Sequence, residues 1–321
     1  MFKNKKVLVT GGAGFVGANL VQRLLKEGVS VRATLHRKDA VIKDKRVEYI
    51  RCDLQNTDDA RRVCQGMDYV FLCAANTSGA AVIEKTPLVH LTPNLVMNAL
   101  MLEAAYAAGV QKVLFISSNT VYPLTDYPVK EEDACYDFYE KYFIVGWMKR
   151  FSEIVCEMYA TKIKKPMATI VVRPGNIYGP LDDFDWETSH VLPALIRKVV
   201  ERMDPIPVWG DGMDIKDFIY IDDFIDALLL AMEKIQGFDV VNVAGGKPYV
   251  LRDLLNIIIA ADGYKNPRIA YDSSKPTMIP KRLIDGAKAR EILGFSPKTP
   301  IEEGLRRTIA WYRRSLQRKA A

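Results

Sequence analysis

No apolar run in the 321 residues approaches the roughly 18 that a membrane-spanning helix needs. The N-terminal stretch MFKNKKVLVTGG passes from charge straight into a short strand pattern, without the apolar core of a signal peptide. Cysteine is sparse: five residues (52, 64, 73, 135 and 156), odd in number and without metal-ligand spacing. That argues against a disulfide framework and against a metal site, and it suits a reducing compartment; a cytoplasmic chain is expected. Internal repeats and low-complexity segments are also missing. Excess charge is modest, 45 Lys and Arg against 39 Asp and Glu, net +6. A site for polyanionic small molecules accounts for it as well as a nucleic-acid surface would, and no nucleic-acid partner is expected.

What is present is alternation. With 49% hydrophobic residues the chain can bury a sizeable core. KVLVT (6–10), VSVRAT (29–34), VEYIRC (47–52), DYVFLCA (68–74), KVLFISS (112–118) and ATIVVRP (168–174) read as strands. They are nearly all apolar, as in a parallel sheet covered on both faces. Helical patterns lie between them at about 14–27, 57–64, 81–108 and 139–164. Repeated βα units predict an α/β fold, a Rossmann-type doubly wound parallel sheet. After Gly175 the texture loosens, with helices expected near 189–203, from Asp222, and around 251–262, 285–292 and 301–316. The expected division is a cofactor domain over 1–174 and a smaller C-terminal substrate domain over 175–321, some of whose elements return to the first.

VLVTGGAGFVG places Gly11, Gly14 and Gly17, with Phe15 and Val16 between them, after the first strand and at the start of a helix. Glycine permits the tight turn and a close approach of backbone to a pyrophosphate, while the helix N-terminus offers free N–H groups and a favourable dipole. An NAD(P) site follows. Asp53, beside Leu54 at the end of the third strand, is a candidate acceptor for an adenine amino group, and the small Ala74 and Ala75 suit a ribose crossing the sheet edge. The tip of the second strand carries His36, Arg37 and Lys38 where an NAD site usually has an acid. A basic tip suits a 2′-phosphate and favours NADP slightly over NAD.

Taken together, TGxxGxxG, the Asp at the third strand, SSNTVYP and the GxxK of the following helix resemble the extended short-chain dehydrogenase/reductases that act on nucleotide sugars. Within that group, RPGNIYGPLDDF, SHVLPALIRK, PVWGDGMDIKDFIYIDD and KPTMIPKRLID are most similar to GDP-fucose synthase and related GDP-sugar enzymes. The resemblance implies a GDP-sugar substrate and, through long helices that pair in family dimers, a homodimer. It gives Ser118 the role of bonding the reacting sugar hydroxyl, and Lys149 that of holding the nicotinamide ribose. Asn119, Asn176, Lys198, Trp209, Lys216 and Lys275 fall where relatives contact the substrate and its phosphates. His190 matches an acid of the epimerisation step, whose Cys partner is replaced here by Asn119 or Thr120.

One family residue is missing. The Tyr expected four residues before Lys149, which exchanges the hydroxyl proton during hydride transfer, is Val145. Tyr142 lies on nearly the same helix face, but side-chain tilt carries its hydroxyl away from the ribose. Three explanations stay open: a route through Ser118, Thr120 or water; an engineered Tyr→Val change; or binding without turnover. The expected activity is oxidation or reduction at C4 of a GDP-linked hexose or heptose for surface-polysaccharide precursors. A GDP-4-keto-6-deoxy-sugar epimerase/reductase and a non-catalytic binding protein are the alternatives.

Overall fold

The computed structural model describes residues 2–76, 86–275 and 277–320. Seven parallel strands form the main sheet in the order β10-β6-β5-β4-β1-β2-β3. They are β1 (Lys6–Val9), β2 (Ser30–Leu35), β3 (Val47–Arg51), β4 (Tyr69–Leu72), β5 (Lys112–Ile116), β6 (Ala168–Pro174) and β10 (Phe238–Val243). The chain starts in the middle, winds outward to β3, returns through β4 and winds the other way. This reversal beside β1 is the switch point at which doubly wound sheets bind ligands. Strand β10 comes from beyond residue 175 and pairs with β6 from Phe238↔Thr169 to Val243↔Pro174.

Helices α1 (Phe15–Lys26), α2 (Thr57–Cys64), α3 (Thr92–Ala107) and α4 (Phe143–Thr161) flank this sheet. Asn56 caps α2 by accepting from the Asp58 and Asp59 N–H groups. The helix expected over 81–108 is shorter than predicted. A 3₁₀ turn spans Pro87–His90, and α3 starts only at Thr92 with Pro93 in its first turn. Proline lacks an N–H donor and is tolerated in a first turn, so two prolines six residues apart break a continuous helix; residues 81–85 lie outside the described residues. The run expected over 139–164 is likewise divided into a 3₁₀ turn, Glu140–Tyr142, and α4.

The later part supplies a three-stranded sheet, β11 (Pro248–Val250), β9 (Ile215–Tyr220) and β7 (Asn176–Tyr178), and a pair of β12 (Ile269–Asp272) with β8 (Ile206–Trp209). Helices α5 (Val191–Val200), α6 (Ile221–Lys234), α7 (Leu251–Asp262), α8 (Ala287–Leu293) and α9 (Ile301–Ala320) complete this part of the chain. Among the described residues, no helix is long and apolar enough to cross a membrane.

One polar cluster lies inside this apolar frame. Glu153 of α4 is fully buried and accepts from Arg173 of β6 at 2.9 and 2.7 Å, from the Ser117 hydroxyl at 2.5 Å and from Arg150 at 3.1 Å. Arg173 also donates to the Tyr122 hydroxyl at 3.0 Å, which donates to Asn242 of β10 at 2.6 Å. Removing one partner of a buried ion pair leaves an uncompensated charge, a loss on the order of 3–5 kcal/mol. Glu153→Gln keeps the volume and removes the charge. It should lower the unfolding free energy by that amount, read as a fall in the urea midpoint at unchanged m-value; a loss below about 1 kcal/mol would show that the pair does not anchor α4.

Candidate active site

The glycine turn is held by two buried threonines. Thr34 accepts from the Gly11 N–H at 2.9 Å and Thr10 accepts from the Ala74 N–H at 2.9 Å, joining β1, β2 and β4 at their C-terminal ends. Gly11 adopts φ +69°, and a Cβ there would lie 2.8 Å from the Ala74 Cα. At Gly17 a Cβ would stand 2.2 Å from the Gly11 carbonyl oxygen. Gly12, absent from the sequence expectation, is confined as closely, since its Cβ would meet Ala33 at 2.8 Å. Gly12 is the second glycine of TGG, and only the packing against β2 shows its need. Gly14 ends this turn in extended conformation at the N-terminus of α1, which has no side-chain cap. A glycine-rich turn at the switch point, leading into the uncapped N–H groups of α1, fits the pyrophosphate of a dinucleotide.

Around this turn, Phe15 and Val16 open α1 and pack against the core. Leu54 is buried, whereas Asp53 is exposed and turns its carboxylate onto the Gln55 N–H at 3.0 Å. Ala75 is exposed and Ala74 half-buried at the edge of β4. His36, Arg37 and Lys38 are exposed at the tip of β2. Burial works against the Asp183 carboxylate, yet the Thr188 hydroxyl, the Asp185 N–H, Lys38 and His190 hold its pKa below the usual value. Lys38 and His190, far apart in sequence, therefore face one acid. His190 itself is exposed at the start of α5.

The next wall is built on β5 and α4. Ser118 is half-buried at the end of β5, and its Oγ accepts from the Thr120 N–H at 3.2 Å. Asn119 donates to the Pro174 carbonyl at 3.0 Å. The Thr120 hydroxyl is buried without a hydrogen-bond partner among the described residues. A Cβ at Gly146 would lie 2.9 Å from both the Thr120 carbonyl oxygen and the Phe138 ring, so this glycine lets the turn rest directly on α4. Lys149, one turn on, is buried and donates to the Ile116 carbonyl at 2.8 Å. Burial brings its pKa down to about 8, against the opposing pull of Glu153. Val145 is half-buried on the same helix and offers no proton.

Tyr142 sits outside the helix, as its N-cap. Burial pushes its phenol up to about 12, and the groups acting on it are Arg282, Tyr139 and Asp214.

The remaining candidates lie on the later segments. Asn176 donates to the Asp217 carbonyl at 2.9 Å, and Lys198 to the Pro207 carbonyl at 2.8 Å. Lys216 donates to the Ile279 carbonyl at 2.9 Å and pairs with Asp214 at 3.2 Å. Trp209 is 42% exposed at the end of β8, and Lys275 is exposed beyond β12. Sequence reasoning passed over Arg282, which is buried against Tyr122. It also passed over Asp217, whose carboxylate is pushed up to about 7 by burial although it accepts from the Gly245 and Gly246 N–H groups.

A glycine turn at the switch point and a Lys-bearing helix beside the next strand ends define a class, the dinucleotide-binding short-chain oxidoreductases and their relatives. The model of the NAD dependent epimerase/dehydratase family matches residues 7–244, and the chain belongs to that family. It is 30% identical to a probable GDP-L-fucose synthase 1 of Oryza sativa subsp. japonica, covering 97% of this chain and 92% of that protein. It is 28% identical to a dTDP-4-dehydro-6-deoxy-D-allose reductase of a Streptomyces species, with 96% of each covered. Among solved structures, a UDP-glucose 4-epimerase of Thermotoga maritima superposes with TM-score 0.87 at 26% identity, over 97% of this chain and 99% of that one.

Proposed function

We propose that this enzyme oxidises or reduces C4 of a nucleotide-linked hexose or heptose, GDP-linked by preference, in the synthesis of surface-polysaccharide precursors. The observation that carries the reading is the placement of Ser118 and Lys149 together at the C-terminal end of β5, two strands along the sheet from β1 and its glycine turn. When bound, the nicotinamide supplies or accepts the hydride. Gly11, Gly12, Gly14 and Gly17 leave room for its pyrophosphate, Asp53, Leu54, Ala74 and Ala75 line the adenosine side, and Lys149 reaches the ribose. Ser118 bonds the reacting hydroxyl, and Thr120, whose hydroxyl lacks a partner among the described residues, completes the proton path with Ser118. Asn119, Asn176, His190, Lys198, Trp209, Lys216 and Lys275 face the sugar nucleotide. Simple redox chemistry is favoured over epimerisation because Asn119 and Thr120 stand where that route uses a Cys.

The GDP preference is supported by the relative from rice, and it is tested by competition binding against UDP- and dTDP-sugars. For the cofactor, exposed Arg37 at the tip of β2 supports NADP. Arg37→Asp should then weaken NADP far more than NAD in equilibrium titration, and equal losses would favour NAD. A homodimer is supported by the exposed Trp147, Phe151 and Met158, which form one stripe along α4, and by exposed Val96 and Tyr106 on α3. Sedimentation as a monomer at micromolar concentration would contradict it.

The proton path makes a paired prediction, read from the absorbance of reduced nicotinamide with GDP-hexoses. Ser118→Ala should reduce turnover by about 100-fold or more, because positioned acid–base groups contribute on the order of 10²–10⁴. Val145→Tyr, which restores the family's phenol, should leave the rate flat or lower it, because the ring crowds a site closed by the Thr120 turn at Gly146. A gain of about ten-fold or more would show instead that the chain has simply lost its acid–base group.

A further inference from the structure

Two arginines are buried beneath the active-site turn, and they are treated in opposite ways. Arg173 is fully matched by Glu153. Arg282 is as deeply buried, at 2% exposure, and no carboxylate among the described residues pairs with it. It donates to the carbonyls of Pro123 at 2.9 Å and Tyr122 at 3.2 Å, its guanidinium lies 6.0 Å from the Tyr122 ring centroid, and its Nε is buried without a partner among the described residues. Of the guanidinium's five N–H donors, two are used among the described residues. Lys216 feels the same positive charge, but Asp214 at 3.2 Å already compensates it.

A buried charge without a counter-ion is costly, and a protein that keeps one usually has an anion to meet it. The position of Arg282 suggests which part of a ligand that would be. Its two carbonyl partners, Tyr122 and Pro123, follow Thr120 after Val121, and the Tyr142 phenol lies within its field. It therefore stands behind the Ser118–Thr120 turn, at the reacting end of the cleft. A guanidinium edge made of Nε and one Nη is the geometry that takes a carboxylate through two parallel bonds.

We propose that Arg282 is a specificity residue that receives a carboxylate on the substrate's sugar, so that the preferred substrate is a nucleotide-linked acidic sugar. This rests on the nucleotide-sugar reading above and narrows it. The test is calorimetric titration of wild type, Arg282→Lys and Arg282→Met with three probes: the nucleoside diphosphate alone, its neutral hexose conjugate and its hexuronate conjugate. Wild type should bind the hexuronate about ten-fold or more tighter than the neutral conjugate. Arg282→Met should abolish that difference, with the diphosphate held within about two-fold, and Arg282→Lys should keep part of it.

Equal wild-type affinity for the two conjugates overturns the inference whatever the variants do, and so guards against a variant that fails to fold. A hexuronate preference that survives in Arg282→Met also overturns it, making Arg282 a structural tie. Equal loss of diphosphate and hexuronate overturns it too, by assigning the cation to the diphosphate. If wild type binds none of the three probes, the nucleotide-sugar reading itself fails.

Discussion

The site depends on one buried ion pair. Glu153 and Arg173 join α4 to β6, and through Ser117 they hold the end of β5 against both. The same arginine reaches Tyr122, and Tyr122 reaches Asn242 on β10. Helix, turn and the strand that returns from the later part of the chain are thus fixed by a single chain of hydrogen bonds. Apolar packing alone would tolerate rotation of α4 about its axis, since many side chains of about the right size fill a core. A fully matched buried pair does not tolerate it, because any rotation strands a charge.

That fixed register determines what Lys149 experiences. Glu153 is one turn away, but its oxygens are taken by Ser117, Arg150 and Arg173. The ammonium is left with the Ile116 carbonyl and the face of Phe115, 4.9 Å from the ring centroid. Burial therefore prevails, and a pKa near 8 leaves the group charged below that pH and neutral above it. An exposed lysine holds its proton more firmly. The charge is kept mobile by its surroundings; the other titratable side chains on the inner face of α4 are Glu153 and the buried thiol of Cys156.

Much of this was legible in the sequence. Apolar strand runs and glycines at fixed spacing are local signals, and six strands of the main sheet lie within a residue or two of the sequence pattern. The long helix over 81–108 was not, since helical periodicity continues through Pro87 and Pro93 while the backbone cannot. Gly12 and Arg282 were missed for a different reason. Their significance lies in contacts with Ala33 and with Tyr122 and Pro123, the latter about 160 positions away. A string shows an arginine; it does not show that its carboxylate partner is absent.

The same distinction bears on the missing tyrosine. In the sequence, Tyr142 lies two turns before Lys149 and could be imagined to slide into reach. In the fold it precedes α4, in a 3₁₀ turn, and its phenol answers to Arg282, Tyr139 and Asp214. Bringing it beside Lys149 would need either another turn of helix or a rotation of the existing one. An added turn is opposed by Phe138 and the Thr120 carbonyl, which close on Gly146 at the helix start. Rotation is opposed by Glu153, which would have to leave Arg173 unpaired in the core. Val145 is therefore fixed on α4 one turn before Lys149, and the proton path proposed above runs through the Ser118–Thr120 turn and Lys149 because no phenol can be brought there.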